Sequence, residues 1–150
     1  VARGRRVLMH SLLDVNVLIA LLDADHASHD HALRWFKRSA REGWASCPLT
    51  QNGCVRIMSH PRYPSPVSVR DCIERLREAT SSEHHAFWPD DLSLLDQRVA
   101  DASRIHGPRQ LTDLYLLALA VRHGGRLVTF DRSIASSAIH GATERHLVAL

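Results

Sequence analysis

Apolar and polar positions alternate along the chain in two patterns, which predict strands and helices in turn. Short apolar runs bounded by turn-forming residues are typical of buried strands, whereas apolar residues three and four apart indicate helices with one buried face. The predicted strands are 12–17, 44–48, 84–89, 125–131 and 146–150. The predicted helices are 18–22, 23–42, 49–59, 68–80, 91–105 and 111–125.

The alternation of strands and helices predicts an α/β domain with a mostly parallel sheet and helices on both of its faces. A chain of 150 residues is the usual size of one domain. The sequence contains no internal repeat and no low-complexity tract. We therefore expect a single domain over residues 11–150, preceded by a basic N-terminal extension over residues 1–10.

Three aspartates stand where the predicted elements meet one edge of the sheet. Asp14 interrupts the first apolar run, Asp131 directly follows the strand RLVTF, and Asp113 opens the apolar helix before that strand. Strand C-termini and helix N-termini meet at the same edge of a parallel sheet, where open α/β folds place their sites. The three carboxylates are therefore expected to converge.

Each aspartate also has a simpler structural role open to it. Asp113, next to Thr112, can complement the positive end of the helix dipole, and Asp131 can cap a short helix through Asp-Arg-Ser. Asp14 is harder to explain in this way, because no cap or turn is evident around it and an unpaired buried charge is costly.

A cluster of carboxylates needs a cation to remain ionised. Two carboxylates ~4 Å apart repel by about 4 kcal/mol at an effective dielectric of about 20. Oxygen ligands without histidine or cysteine favour Mg²⁺ or Mn²⁺, and Mg²⁺ sites of this kind usually act on phosphate substrates.

Three stretches of the chain together resemble one known family. LLDVNVLIAL, PLTQNGCVRIMSHPRY and LTDLYLLALAVRHGGRLVTFD are similar, in this order and spacing, to the PIN domain and in particular to the VapC toxins of bacterial toxin–antitoxin pairs. The resemblance extends from Ser11 to Leu150. It implies a three-layer α/β/α fold with a central sheet of four to five strands.

The same resemblance implies a function. VapC proteins are Mg²⁺- or Mn²⁺-dependent endoribonuclease toxins of type II systems, which cut tRNA or ribosomal RNA and are neutralised by a VapB-type antitoxin. They also tend to form homodimers. We therefore expect an RNA substrate, a cognate antitoxin and a second copy of the chain as partners.

By position, the resemblance assigns Asp14, Asp113 and Asp131 to the metal cluster. It assigns Asn16 and Thr129 to the orientation of those carboxylates. It also predicts that Arg56 and the arginines around it contact the RNA backbone.

One position departs from the family pattern. Many PIN domains have a glutamate where this chain has Gln51, whose amide oxygen can bind a metal or a metal-bound water but brings no charge. Weaker metal affinity is expected, and a second metal ion is in doubt. Asp90 or Asp91 can supply the missing charge, although an aspartate pair before a helix is usually a cap.

Charge and cysteine content bear on partners and compartment. The net charge of +3 fits a nucleic-acid partner and equally a solvated basic face. The three cysteines have no CxxC spacing, which disfavours a disulfide framework or a zinc site. The basic N-terminus is similar to a signal peptide, but Asp14 and Asn16 break its apolar stretch and no cleavage site follows. We expect a cytoplasmic protein without a membrane span.

Other interpretations fit parts of the sequence. His26, His29 and His31 lie near acidic residues and are a candidate zinc site, although an exposed helix face explains them as well. A catalytically weak PIN scaffold that binds RNA or a protein partner is an alternative that Gln51 favours.

The stretch from Asp14 to Asn16 also suggests a phosphatase of the haloacid dehalogenase type, in which an aspartate after the first strand is the nucleophile. That chemistry usually needs a second acid two residues later and a lysine before the later acids. Here the second position is Asn16, and the only lysine is Lys37, on an early predicted helix. Receiver domains meet the same objection.

Overall fold

Five strands and five α-helices form the regular structure of residues 9–150, the part of the chain that this computed structural model describes. The strands are β1 (Ser11–Leu13), β2 (Trp44–Ser46), β3 (His85–Phe87), β4 (Arg126–Thr129) and β5 (Leu147–Ala149). The helices are α1 (Val15–Leu22), α2 (His29–Ser39), α3 (Pro48–Met58), α4 (Val69–Thr80) and α5 (Leu111–Arg122). Most of the predicted basic extension, residues 1–8, lies outside the described residues.

The five strands form one sheet in the order β3-β2-β1-β4-β5, with parallel pairing throughout. Strand β1 is central, and its Leu12 lies opposite Ala45 of β2 and Leu127 of β4. The predicted parallel sheet of four to five strands is therefore confirmed. Since parallel strands share one C-terminal edge, the residues after β1, β2 and β4 meet at the same place.

Helices cover both faces of the sheet, because neighbouring residues of a strand point to opposite sides. Leu12 packs in one apolar cluster with Leu116 of α5. Leu13 packs in the other with Val17 of α1 and Met58 of α3. All five side chains are completely buried. The result is the three-layer α/β/α arrangement that the sequence predicts.

The predicted helix over 91–105 is wrong. The structure has turns there and a single 3₁₀ turn over Ala102–Arg104. Asp96 and Asp101 each accept a hydrogen bond from the backbone N–H two residues ahead, at 2.9 and 3.1 Å, and such local bonds compete with a helix. Leu95, which the helical pattern would bury, is 93% exposed.

The boundary between the first strand and helix also differs from the prediction. The strand ends at Leu13 and not at residue 17, and α1 begins at Val15. An apolar run of this length has no periodicity that separates a buried strand from a buried helix turn. The helix predicted over 23–42 is confined to His29–Ser39, and the other predicted elements agree with the structure within three residues at either end.

Between residues 9 and 150, no helix combines the length and the apolar character that crossing a membrane requires.

Candidate functional site

Asp14 lies at the C-terminal edge of the sheet and caps helix α1. Its Oδ1 accepts a hydrogen bond from the Val15 N–H at 2.7 Å, and its Oδ2 accepts one from Thr129 Oγ1 at 2.7 Å. The sequence indicated no helix cap at Asp14, and this interpretation is therefore wrong. Asp14 is only 6% exposed. Burial raises its pKa, the two hydrogen bonds oppose the rise, and the charge of Asp131 adds to it.

Thr129 connects two of the predicted site residues. Its hydroxyl donates to Asp14 and its Oγ1 accepts from the Asp131 N–H at 3.1 Å. Thr129 is the last residue of β4 and is fully buried, so the central strands themselves hold this bridge. The hydroxyl therefore couples the ends of β1 and β4.

Asp131 follows β4 and is held by a turn and not by a helix cap. Its Oδ1 accepts from the Ser133 N–H at 2.8 Å and from Ser133 Oγ at 2.6 Å. These bonds stabilise the carboxylate and lower its pKa. Asp131 is thus the most readily ionised of the three aspartates.

Asp113 lies in the first turn of α5, which begins after Gln110 and not after Thr112. Burial raises its pKa to about 7, and the negative charges of Asp14 and Asp131 contribute to the rise. The three carboxylates therefore share one electrostatic environment at the sheet edge.

The three carboxylates are electrostatic neighbours but not a closed ligand set. Within residues 9–150, no group of three or more histidine, cysteine, aspartate or glutamate side chains is arranged to hold a metal ion as it stands. Asp14 and Asp131 are directed by their own hydrogen bonds, and like charges repel one another. The donors are hard carboxylate oxygens, which fit Mg²⁺ or Mn²⁺. Two of the carboxylates, Asp14 and Asp113, have raised pKa values.

The other predicted site residues lie on α1 and α3. Asn16 is exposed on the first turn of α1. Gln51 is partly buried on α3, and its Nε2 donates to Ser46 Oγ at 2.9 Å. Arg56 is exposed further along α3, on a groove of about 830 Å³ between α3 and α4.

The structure separates Asp91 from the aspartate cluster. Asp91 Oδ1 lies 3.4 Å from Arg122 Nε and 3.3 Å from His123 Nε2, at the end of α5. Asp113 is at the other end of this helix, about 14 Å away at 1.5 Å per residue. The suggestion that Asp91 replaces the missing charge is therefore wrong. Asp90 instead lies near Tyr115, where it helps burial to raise the pKa of the phenol to about 12.

Two histidines of the candidate zinc site, His26 and His29, make local contacts. His29 Nδ1 is 2.7 Å from the Ala20 carbonyl oxygen, and His26 Nδ1 accepts from the Ser28 N–H at 3.0 Å. These bonds join α2 to α1 and shape the turn before α2. A structural role thus accounts for both rings.

Sequence reasoning missed Ser46 and its pairing with His85. Ser46 is the last residue of β2 and is fully buried, and its Oγ lies 2.8 Å from His85 Nε2. The rule that singled out Asp14 and Asp131, a polar residue at a strand C-terminus, also applies to Ser46. The contact with His85 needs the β2–β3 register and has no local signal.

Comparisons with known proteins agree on one family. The family model described as the PIN domain matches residues 11–139. Ribonuclease VapC44 of Mycobacterium tuberculosis is 56% identical over 142 residues, which cover 95% of this chain and 100% of the relative. Ribonuclease VapC39 of the same organism is 46% identical over 138 residues, covering 91% of this chain and 99% of the relative.

Solved structures share the fold. VapC20 of Mycobacterium tuberculosis, described as a sarcin–ricin loop cleaving toxin, matches with a TM-score of 0.59 at 14% identity, over 88% of this chain and 98% of that one. A chain of VapBC2 from Rickettsia felis, bound to a DNA fragment from their promoter, matches with a TM-score of 0.51 at 14% identity, over 83% and 90%. The family match over most of the chain, together with close relatives aligned along nearly their whole length, shows that the chain belongs to the PIN-domain family, among the VapC ribonucleases.

Proposed function

We propose that this protein is the toxin of a type II toxin–antitoxin system, a metal-dependent endoribonuclease that hydrolyses RNA phosphodiester bonds. One observation carries the proposal: in a chain of the VapC family, Asp14 after β1, Asp131 after β4 and Asp113 at the start of α5 lie at one sheet edge, where Thr129 Oγ1 bonds both Asp14 and the Asp131 N–H. Family membership also speaks against the phosphatase interpretation of Asp14.

Asp14, Asp113 and Asp131 are the residues that would hold Mg²⁺ or Mn²⁺. When bound, such an ion supplies polarisation of the phosphate oxygens and a water molecule of lowered pKa. Without a cation, the raised pKa of Asp113 favours its protonated form compared with an ordinary aspartate. A cation held by the three carboxylates would favour the ionised form of Asp113, which would then give up its proton.

The remaining residues of the site orient these carboxylates. The Val15 N–H and the Thr129 hydroxyl hold the two oxygens of Asp14, and Ser133 holds Oδ1 of Asp131. Such outer partners typically contribute about 10–100-fold to metal affinity or activity. No side-chain nucleophile is required, since water attacks the phosphodiester.

The proposed substrate is a tRNA or a ribosomal RNA. The net charge of +3 and the exposed Arg56 favour contacts with an RNA backbone. The structural relative VapC20 is described as a toxin that cleaves the sarcin–ricin loop, which makes ribosomal RNA the first substrate to test. RNA substrates also fit the expected cytoplasmic location.

The proposed partner is a cognate VapB-type antitoxin, by analogy with the VapBC2 assembly of Rickettsia felis. The groove between α3 and α4 offers apolar surface for it, with Val69 54% exposed and Ile73 40% exposed. Arg56 and Arg77 also line this groove, so an apolar segment with acidic residues is complementary to it. A second copy of the chain is proposed as a further partner, by resemblance to the family.

The test of the nuclease is Asp14→Asn in the folded protein. We expect RNA cleavage to fall at least about 100-fold, because the substitution removes the buried charge of the proposed metal site while keeping its shape. Cleavage is measured with purified RNA in Mg²⁺ and in excess EDTA, and growth after induction compares wild type with the variant. Asp30→Asn, on the exposed first turn of α2, is the matched control.

Undiminished cleavage by Asp14→Asn, or by the wild type in EDTA, would exclude the proposed mechanism. The second candidate function, a catalytically weak scaffold, is favoured by the absence of charge at Gln51. Tight RNA binding without turnover, unchanged by Mg²⁺ or Mn²⁺, would support that function instead.

A further inference from the structure

Gln51 lies at the position where the family pattern has a charged group, and the structure places it beside the aspartate edge. It is in the first turns of α3, directly after β2. Helix α3 packs closely on the start of α1: a Cβ atom on Gly53 would lie 2.8 Å from Val15 Cγ2. Val15 follows Asp14, so this part of α3 borders the proposed metal site.

A chain of two hydrogen bonds ties Gln51 to the neighbouring strands. Gln51 Nε2 donates to Ser46 Oγ at 2.9 Å, and Ser46 Oγ lies 2.8 Å from His85 Nε2. Ser46 ends β2, and His85 begins β3 beside it. Two elements of the sheet therefore set the direction of the Gln51 amide.

The directions of these two hydrogen bonds agree with a neutral His85 ring. Burial lowers its pKa, so the ring is neutral at pH 7. The Gln51 amino group can only donate, so Ser46 Oγ accepts from it and the Ser46 proton is left for His85. The neutral ring accepts that proton at Nε2, 2.8 Å from Ser46 Oγ, in the tautomer with its own proton on Nδ1.

The His85 ring is itself held in place. Its centroid is 4.5 Å from that of Trp44, which is buried on β2. Ser46 has one proton and donates it to His85, so its Oγ can only accept from Gln51. The Gln51 amino group satisfies this requirement, and Oε1 of the same amide remains to accept from other groups.

We propose that Ser46 and His85 are positioning residues, which orient Gln51 so that its Oε1 oxygen, and not its amide N–H, is presented to the cation site. The inference rests on the proposed nuclease function. A correctly oriented amide supplies a neutral oxygen where the family pattern has a carboxylate. A carboxylate has oxygens in both positions and needs no such orientation.

The test is a double-mutant cycle read by Mn²⁺ affinity, measured by isothermal titration calorimetry on the purified full chain. Ser46→Ala removes the acceptor of the Gln51 amide, and we expect Mn²⁺ to bind about fivefold more weakly. In a Gln51→Glu background the same Ser46→Ala change is expected to have no effect, because the two carboxylate oxygens are equivalent.

His85→Phe is the second variant, because it keeps a ring against Trp44 but removes the acceptor of the Ser46 proton. We expect the same loss of affinity with Gln51 present and none in the Gln51→Glu background. His84→Gln, at the neighbouring position outside this chain of bonds, is the control and should bind Mn²⁺ like the wild type. Circular dichroism verifies that each variant is folded.

The outcomes separate this proposal from the nuclease proposal. If Ser46→Ala lowers Mn²⁺ affinity equally with Gln51 present and in the Gln51→Glu background, Ser46 only supports the fold. If it lowers Mn²⁺ affinity in neither, the amide does not bind the cation. Either result overturns the positioning role alone. Unchanged Mn²⁺ binding by Asp14→Asn overturns the metal site as well.

Discussion

At the scale of single residues, environment gives three chemically identical aspartates different properties. Asp14 is buried and doubly hydrogen-bonded, Asp131 is held by Ser133 with a lowered pKa, and Asp113 has a pKa raised to about 7. The pKa of Asp113 rises because the side chain is partly buried and because it meets the charges of both other carboxylates. The titration of Asp113 therefore links the stability of the fold to pH, and cation binding would act on the same group.

The raised pKa of Asp113 predicts that, without metal, the free energy of unfolding falls as the pH rises. Its folded pKa of about 7 lies above the ordinary value of 3.8. Its contribution is therefore fully present below pH ~4 and is lost as the pH rises through ~7. Urea unfolding in EDTA measures the free energies of unfolding of Asp113→Asn and of the wild type. The difference in favour of Asp113→Asn should be about 1–2 kcal/mol larger at pH 8 than at pH 5, a value that is discounted for solvent screening.

Mg²⁺ at pH 8 should stabilise the wild type and leave Asp113→Asn nearly unchanged. Asp30→Asn, on the exposed surface of α2, should follow the wild type at each pH. The same pH dependence in wild type and Asp113→Asn would mean that Asp113 titrates normally.

At the scale of elements, the site depends on how closely α1 and α3 approach. Gly53 is the point of contact, since an added Cβ would lie 2.8 Å from Val15 Cγ2. Alanine is favoured over glycine within a helix by about 1 kcal/mol. The glycine is therefore best explained by the packing of the two helices and not by helix formation.

Gly53→Ala should destabilise the protein by about 1–3 kcal/mol, because α1 and α3 must separate to admit the methyl group. The shift also displaces Asp14, so RNA cleavage should fall. Val15→Ala makes room at the contact, and the double variant should recover stability relative to Gly53→Ala. Chemical denaturation of the two single variants and the double variant measures the coupling. Additive effects would show that the contact does not limit the approach of the helices.

At the scale of the whole molecule, catalysis and partner binding are assigned to neighbouring surfaces. The aspartates occupy the C-terminal edge of the sheet, while the groove of about 830 Å³ lies between α3 and α4. Gln51 borders both, since it lines the groove and also joins β2 through Ser46. An antitoxin in the groove would thus lie beside the proposed site without replacing any of its aspartates.

Ile73→Asp should weaken binding of the cognate antitoxin at least about tenfold, because it places a charge on the apolar surface of the groove. Cleavage by the free toxin should fall much less than antitoxin binding, since Ile73 is on α4 and the three aspartates lie at the edge of the sheet. Leu95→Asp is the matched control, as Leu95 is apolar and 93% exposed but lies outside the groove. Equal losses of antitoxin affinity in both variants would exclude the groove as the docking surface.

The fold class and the candidate aspartates follow from the linear order of residues. Strand and helix patterns are local properties, and their alternation admits few parallel-sheet arrangements. Asp14, Asp113 and Asp131 were identifiable because strand C-termini and helix N-termini share one edge of such a sheet. The PIN resemblance depended on the order and spacing of short motifs, which are also properties of the linear chain.

How these residues are held depends on contacts that form when the chain folds. The bond between Thr129 and Asp14 joins residues 115 positions apart, and the bond between Ser46 and His85 spans 39. The wrong helix prediction at 91–105 is a local error instead, because Asp96 and Asp101 accept hydrogen bonds from the backbone two residues ahead. The orientation of Gln51 depends on β2 and β3 lying side by side. Contacts between distant residues have no signature in a local pattern, so the direction of each side chain at the site appears only once the chain has folded.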